Sequence, residues 1–190
     1  MKARDNPFRS EAVERIAFRL EGATWLELLE QLRRLNYRAS LVGPHGSGKT
    51  TLLEELGRRL AEQGFRIRHA RLSEEHPRLS AAQSARLFKG LSREHLILLD
   101  GAEQLSWLEW RRFLRRCRGA GGLIITTHKP GRLPVLYECR TSARLLEEIL
   151  SGICPQSVAP RFPSAETLFE RSRGNIREAL RACYDLCALQ

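Results

Sequence analysis

The chain is poor in lysine, methionine and paired cysteine, and it has no long apolar run. Methionine occurs once, and only 4 of the 32 basic residues are lysine. Five cysteines, at 117, 139, 154, 183 and 187, make an odd set with no C-x-x-C pair. That argues against a disulfide framework and for a reducing compartment. Cys183 and Cys187 lie four apart on an expected helix, which is half of a metal site. No second pair of Cys or His has matching spacing, so buried thiols are the expectation. No apolar stretch approaches the ~18 residues of a membrane helix. The first seven residues lack the apolar core of a secretory signal, so the expected location is the cytoplasm. Internal repeats, low-complexity tracts and long linkers are absent from the sequence.

The 190 residues suit one domain with a small appendage. Their apolar and charged fractions, 42% and 28%, are those of an ordinary globular protein rather than a disordered chain. The net charge is +10. Such a balance suits a polyanionic partner such as nucleic acid. An arginine excess also arises from a GC-rich genome, and composition does not separate the two.

Patterning divides the chain into three parts: residues 1–38 as an N-terminal linker and helices, 39–140 as an α/β core, and 141–190 as a small helical subdomain. Residues 10–34 carry apolar positions at helical spacing, split by Gly22 and by Thr24 as an N-cap. A helix is expected from Lys49 to about Gln63, closed by Gly64, then a period-two strand over 65–72 with one basic face. Another helix is expected over 80–91. His95–Asp100 is a continuous apolar run ending in an acid, which suits a strand buried on both faces of a parallel sheet. A helix over 103–118, a strand over 121–128 and a short strand within 133–139 follow. Beyond Arg140 the pattern is helical only, at 142–152, 164–173 and 175–189, with Pro155, Pro160 and Pro163 between the first two. Alternating strands and helices indicate a three-layer parallel α/β core.

Gly43-Pro44-His45-Gly46-Ser47-Gly48-Lys49-Thr50 fits G-x-x-x-x-G-K-[ST] between an apolar strand and a helix. Glycines let the backbone close around phosphate oxygens, and the helix start adds its positive dipole end. Lys49 is placed for the β- and γ-phosphates and the Thr50 hydroxyl for Mg²⁺. The expected ligand is a nucleoside triphosphate, held by Gly43, Pro44, His45, Gly46, Ser47, Gly48, Lys49, Thr50 and Thr51. Asp100, at the C-terminal end of its strand, is the expected second holder of Mg²⁺. The nearest carboxylate after it is Glu103, either a water-polarising base or a helix acid that complements the dipole. Thr126, Thr127 and His128 end the next strand, where a hydroxyl or imidazole could orient a water. Asn175 is an N-cap for the last helix. Arg177, in its first turn, opposes the dipole and so invites an external anion.

These elements together resemble the AAA+ ATPases, in particular the compact clade used for DNA initiation, clamp loading and transposition. Asn6-Pro7-Phe8 is similar to that family's N-terminal linker, Gly43–Thr50 to Walker A and Leu96–Asp100 to Walker B. Thr126–His128 is similar to the sensor-1 strand end, and Gly174-Asn175-Ile176-Arg177 to sensor 2. The resemblance implies a P-loop core with a helical lid and binding of Mg-ATP. It assigns Lys49, Asp100, Thr127, His128 and Arg177 to catalysis, and Glu103 joins them as a candidate only by its place after Asp100. Output would pass through a protein partner, self-assembly or DNA.

The sequence departs from the family at Gly101, where a glutamate is usual, and in its short lid. No arginine finger is assignable, although Arg111, Arg112, Arg115 and Arg116 are candidates that also read as a solvated basic face. Three other readings stay open. The glycine suits a nucleotide-gated switch with little hydrolysis. Residues 79–83 and Thr127-His128 faintly echo ABC-type ATPases. A small-molecule kinase on the same scaffold would need an acceptor-binding base that is not legible.

Overall fold

Residues 6, 8, 18, 20–153 and 163–188 are described in the computed structural model. Five short strands, β1 (Arg38–Val42), β2 (Arg66–Arg71), β3 (His95–Asp100), β4 (Gly122–Thr127) and β5 (Val135–Glu138), form one sheet. Its order is β2-β3-β4-β1-β5, with every pairing parallel. Parallel neighbours require crossover connections. Helix α1 (Trp25–Arg34) precedes β1, and α2 (Lys49–Glu62), α3 (Ala81–Phe88) and α4 (Trp107–Arg116) supply the crossovers.

The two central strands β3 and β4 are buried at every residue. Side-chain alternation along them sorts the core into two layers. Leu96, Leu98 and Ile124 join Leu28, Leu32, Leu52 and Leu56 on one face. Ile97, Leu99, Leu123 and Ile125 join Leu87, Trp110 and Phe113 on the other. This is the three-layer α/β architecture that the apolar run at 95–100 predicts.

The chain divides into two units. One comprises Phe18–Gly43 and Lys49–Cys139 and holds the sheet. The other comprises Met1–Ala17, Pro44–Gly48 and Arg140–Gln190. Its described helices are α5 (Ala143–Ile153), α6 (Ala165–Arg171) and α7 (Ile176–Ala188). They enclose a third cluster containing Leu146, Leu168, Ile176, Leu180, Cys183 and Cys187, into which Phe8 also packs. Asn6 fastens that residue: its Oδ1 accepts from the Phe8 amide at 3.0 Å, and its Nδ2 donates to the Tyr184 carbonyl at 2.9 Å.

Helix starts are set by side-chain caps. Thr24 with Glu27, Ser80 with Gln83 and Ser106 with Glu109 each form a reciprocal capping box. The last of these alters one expectation. The helix expected over 103–118 is a 3₁₀ turn at Ala102–Gln104, a break, and then α4 from Trp107. Ser106 Oγ accepts from the Glu109 amide and caps the new helix, so the chain can bend before it. The expected helix over residues 10–21 falls largely outside the described residues, as do Pro155 and Pro160. Among the described residues no helix is long and apolar enough to cross a membrane.

Cys117, Cys139, Cys183 and Cys187 are buried. Burial pushes the Cys117 thiol up to about 12, against the opposing pull of Arg38 and Arg116. It pushes Cys139 to about 12 as well, against Lys49. Both stay neutral thiols in the folded chain while an unfolded chain ionises near its ordinary value of 9.0. Their contribution to stability is therefore intact below that value and is lost as pH rises toward 12. Native alkylation by iodoacetamide at pH 8 should leave both unmodified, with full reaction after denaturation, and the melting temperature should fall between pH 9 and 11.

Candidate nucleotide-binding site

Parallel sheets present ligands beyond the C-terminal ends of their strands. In the sheet unit those ends carry Gly43 after β1, Arg71 on β2, Asp100 on β3, and Thr127 and His128 at β4. Lys49, the first residue of α2, is buried at 8% exposure, and its Nζ donates to the Gly43 carbonyl at 2.7 Å. The next residue, Thr50, donates from Oγ1 to Asp100 Oδ2 at 3.0 Å. Thr126 donates to Asp100 Oδ1 at 2.6 Å and accepts from the Gly101 amide at 2.8 Å. Asp100 is itself buried, so its carboxylate is oriented by two hydroxyls from different elements. Thr50 and Asp100 place a hydroxyl and a carboxylate together, the hard oxygen donors that Mg²⁺ takes. Among the described residues no cluster of three His, Cys, Asp or Glu could cage a metal. Mg²⁺ needs only one or two protein oxygens, so the pair fits it.

Thr127 behaves differently from its neighbour. Its hydroxyl donates to the Lys129 carbonyl at 2.8 Å, closing a turn, and its carbonyl accepts from the Gly43 amide at 3.2 Å. Of the two threonines, Thr126 reaches Asp100. His128 Nε2 lies 2.8 Å from Glu103 Oε1, with both side chains a quarter exposed. The other carboxylate oxygen, Glu103 Oε2, is buried without a hydrogen-bond partner among the described residues. Leaving such an oxygen unsatisfied is costly.

Gly101 has a backbone reason to be glycine. Its φ is +80°, and a Cβ there would stand 2.3 Å from the Leu72 carbonyl oxygen. Leu72 cannot retreat cheaply, because its amide donates to the Asp100 carbonyl at 2.8 Å. A side chain directly after Asp100 would be strained and crowded in this turn.

Residues 44–48 are grouped with the C-terminal helices. Gly46 and Gly48 have φ of +71° and +81°. Ser47 Oγ donates to the Pro44 carbonyl at 2.9 Å, while Pro44 and His45 are exposed. A Cβ on Gly46 would lie 1.8 Å from Asn175 Oδ1 and 3.3 Å from the Arg177 amide nitrogen. Asn175 Oδ1 also accepts from the Glu178 amide at 3.2 Å, capping α7. Arg177 is exposed in the first turn of that helix, and Thr51 is half-buried in α2.

One charged neighbour of Asp100 was not singled out from sequence. Arg71 ends β2 in register with Asp100, and its Nε lies 3.6 Å from Oδ2. Its only sequence signal is membership of a basic, alternating strand. Arg111, Arg112, Arg115 and Arg116 are all exposed on α4. Arg111 lies over Trp107 and Arg116 over Phe88, with ring-centroid distances of 4.8 and 3.8 Å.

No protein-family model matches the chain, and no curated protein matches it. Solved structures do resemble it. The Thermotoga maritima RuvB Holliday junction branch migration motor aligns at TM-score 0.54 and 18% identity over 90% of this chain and 64% of its own. The replication initiator DnaA bound to AMPPCP and single-stranded DNA aligns at TM-score 0.58 and 16% identity over 94% and 64%. AMPPCP-bound DnaA from Aquifex aeolicus aligns at TM-score 0.53 and 18% identity over 85% and 61%. The fold is thus a P-loop α/β fold, and within that class it is the fold of the AAA+ ATPases RuvB and DnaA. This chain spans less than two thirds of the length of each of those structures.

Placing a side chain at 101 should damage the protein rather than improve it. Gly101→Ala should destabilise by about 1–3 kcal/mol through left-handed strain and overlap with Leu72. Gly101→Glu should be at least as damaging and should not raise ATP turnover. Denaturant unfolding and a phosphate-release assay check the two halves.

Proposed function

We propose that the chain binds Mg-ATP through Gly43–Thr51 and acts as a weak, partner-stimulated ATPase of AAA+ type. The observation that carries the proposal is the buried Asp100 carboxylate, held by Thr50 and Thr126 at the strand ends beside Lys49. In this reading residues 39–140 are the nucleotide core and 141–190 the lid. Lys49 pairs with the β- and γ-phosphates. Thr50 and Asp100 hold Mg²⁺, which when bound supplies charge neutralisation at the phosphates. Glu103 serves as general base, oriented by His128 at Oε1. Of the strand-end hydroxyls, Thr126 is better engaged than Thr127 to report on the metal site. Arg177 is the lid's anion-facing residue.

A second reading is supported by one observation. The turn at Gly101 strains against the glutamate usual there, which suits a switch that binds ATP and hydrolyses it little. For a partner, α4 offers exposed Trp107 and Leu108 beside Arg111, Arg112 and Arg115. An aromatic ring among arginines suits nucleic acid, the ligand class in one DnaA structure. A protein partner or a second copy of the chain is the other reading of that face.

Lys49→Ala should abolish measurable Mg-ATP binding by calorimetry while leaving the fold intact, because it removes the cation paired with the phosphates. Affinity equal to wild type would end the P-loop assignment. Glu103→Gln should keep ATP binding and lower turnover by at least ~10²-fold, the scale of a lost general base. Negligible wild-type turnover under all conditions, DNA and high protein concentration included, would favour the switch.

Nucleic-acid affinity, if present, should fall steeply with salt. Replacing Arg111, Arg112 and Arg115 together by Gln should reduce the slope of log affinity against log salt by about 2–3. No binding at low ionic strength would assign the α4 face to a protein partner.

A further inference from the structure

The site needs positive charge at the γ-phosphoryl beyond Lys49 and the metal, since charge spreads over three oxygens during transfer. The four arginines of α4 do not supply it from the site itself. They are exposed along a helix whose buried residues Trp110 and Phe113 face the core, and two of them are stacked on Trp107 and Phe88. Arg71 is placed otherwise. It ends the edge strand β2, and parallel register sets it beside Asp100 at the same C-terminal edge of the sheet. Its Nε stands 3.6 Å from Asp100 Oδ2, the oxygen that also accepts from Thr50.

That distance is longer than the ~2.7–2.9 Å of a charge-assisted hydrogen bond. The side chain is also 58% exposed. The guanidinium is therefore anchored near the carboxylate without being consumed by it. A planar, permanently charged fork with N–H donors to spare matches a phosphoryl group. A residue serving only as counter-ion to a buried carboxylate would be expected to close on it. Arg68, on the same strand, shows what full commitment looks like: its guanidinium donates to the Leu87, Lys89 and Gly90 carbonyls at 2.7–3.2 Å and caps the end of α3.

We propose that Arg71 is the arginine that stabilises charge on the γ-phosphoryl group, acting within its own chain rather than being lent by a neighbouring copy. The inference rests on the ATPase reading above and adds a catalytic residue to it. In the reaction the water oxygen bonds to the γ-phosphorus, and the bond to the β–γ bridging oxygen breaks with its electron pair left on ADP. The water's proton passes to Glu103, and Arg71 bears on the negative charge of the transferring group. A chain so equipped turns over ATP at a rate per molecule independent of its own concentration.

The test compares wild type, Arg71→Gln and Arg71→Lys, using ADP, Mg-ATP and the transition-state mimic ADP–aluminium fluoride as calorimetric ligands. ADP and Mg-ATP affinities should stay within about threefold for all three proteins, which also shows that the variants fold. Affinity for ADP–aluminium fluoride should fall at least ~10²-fold in Arg71→Gln and less in Arg71→Lys, in line with an arginine that acts in the transition state. Turnover should fall in parallel, and wild-type specific activity should stay constant over a hundredfold range of protein concentration. Unchanged binding of the mimic by Arg71→Gln overturns the inference, as does specific activity that climbs with concentration. Failure of the wild type to bind Mg-ATP at all overturns the underlying reading and this inference with it. Wild-type binding with an indifferent Arg71 overturns the inference alone.

Discussion

Asp100 joins elements that the sequence keeps far apart. Its Oδ1 is held by Thr126 on the neighbouring central strand and its Oδ2 by Thr50 in the first turn of α2, with Arg71 of the edge strand close by. A carboxylate buried this deeply is tolerated only when its oxygens are satisfied. The hydroxyls therefore orient the group as well as solvate it. The orientation in turn depends on β3 and β4 being sealed on both faces, since sliding either strand would part Asp100 from Thr126.

The same junction accounts for Gly101. The chain leaves β3 through a left-handed turn whose amide is bonded to Thr126 and whose missing Cβ would collide with Leu72. The turn then delivers Glu103 onto His128. A position that looks like a lost catalytic residue in the sequence is, in the structure, the bend that aims a carboxylate two residues later. Just past this bend, Glu103 Oε2 is buried without a hydrogen-bond partner among the described residues.

The arginine excess resolves into distinct uses. Arg68 caps a helix end, Arg59 and Arg116 lie over Trp25 and Phe88, and Arg132 sits over Trp110. Such contacts exploit the planar guanidinium, which lysine cannot imitate. Part of the +10 charge is thus structural, while the arginines of α4 stay exposed to solvent.

Features encoded within a few residues were legible without coordinates. The glycine-rich loop between strand and helix, the doubly buried strand at 95–100, the cap at Thr24 and the Asn175 cap all follow from local spacing, because periodicity and capping are short-range. The break at Ser106 was also local but was hidden by an apolar pattern that ran through it. What only the tertiary structure decided is everything set by parallel register. Thr126 on Asp100, 26 residues apart, Thr50 on Asp100, 50 residues apart, and Arg71 beside them come together through crossovers whose lengths carry no register signal. The steric reason for Gly101 lies in the Leu72 carbonyl just past the end of β2, and no property of residue 101 itself could reveal it.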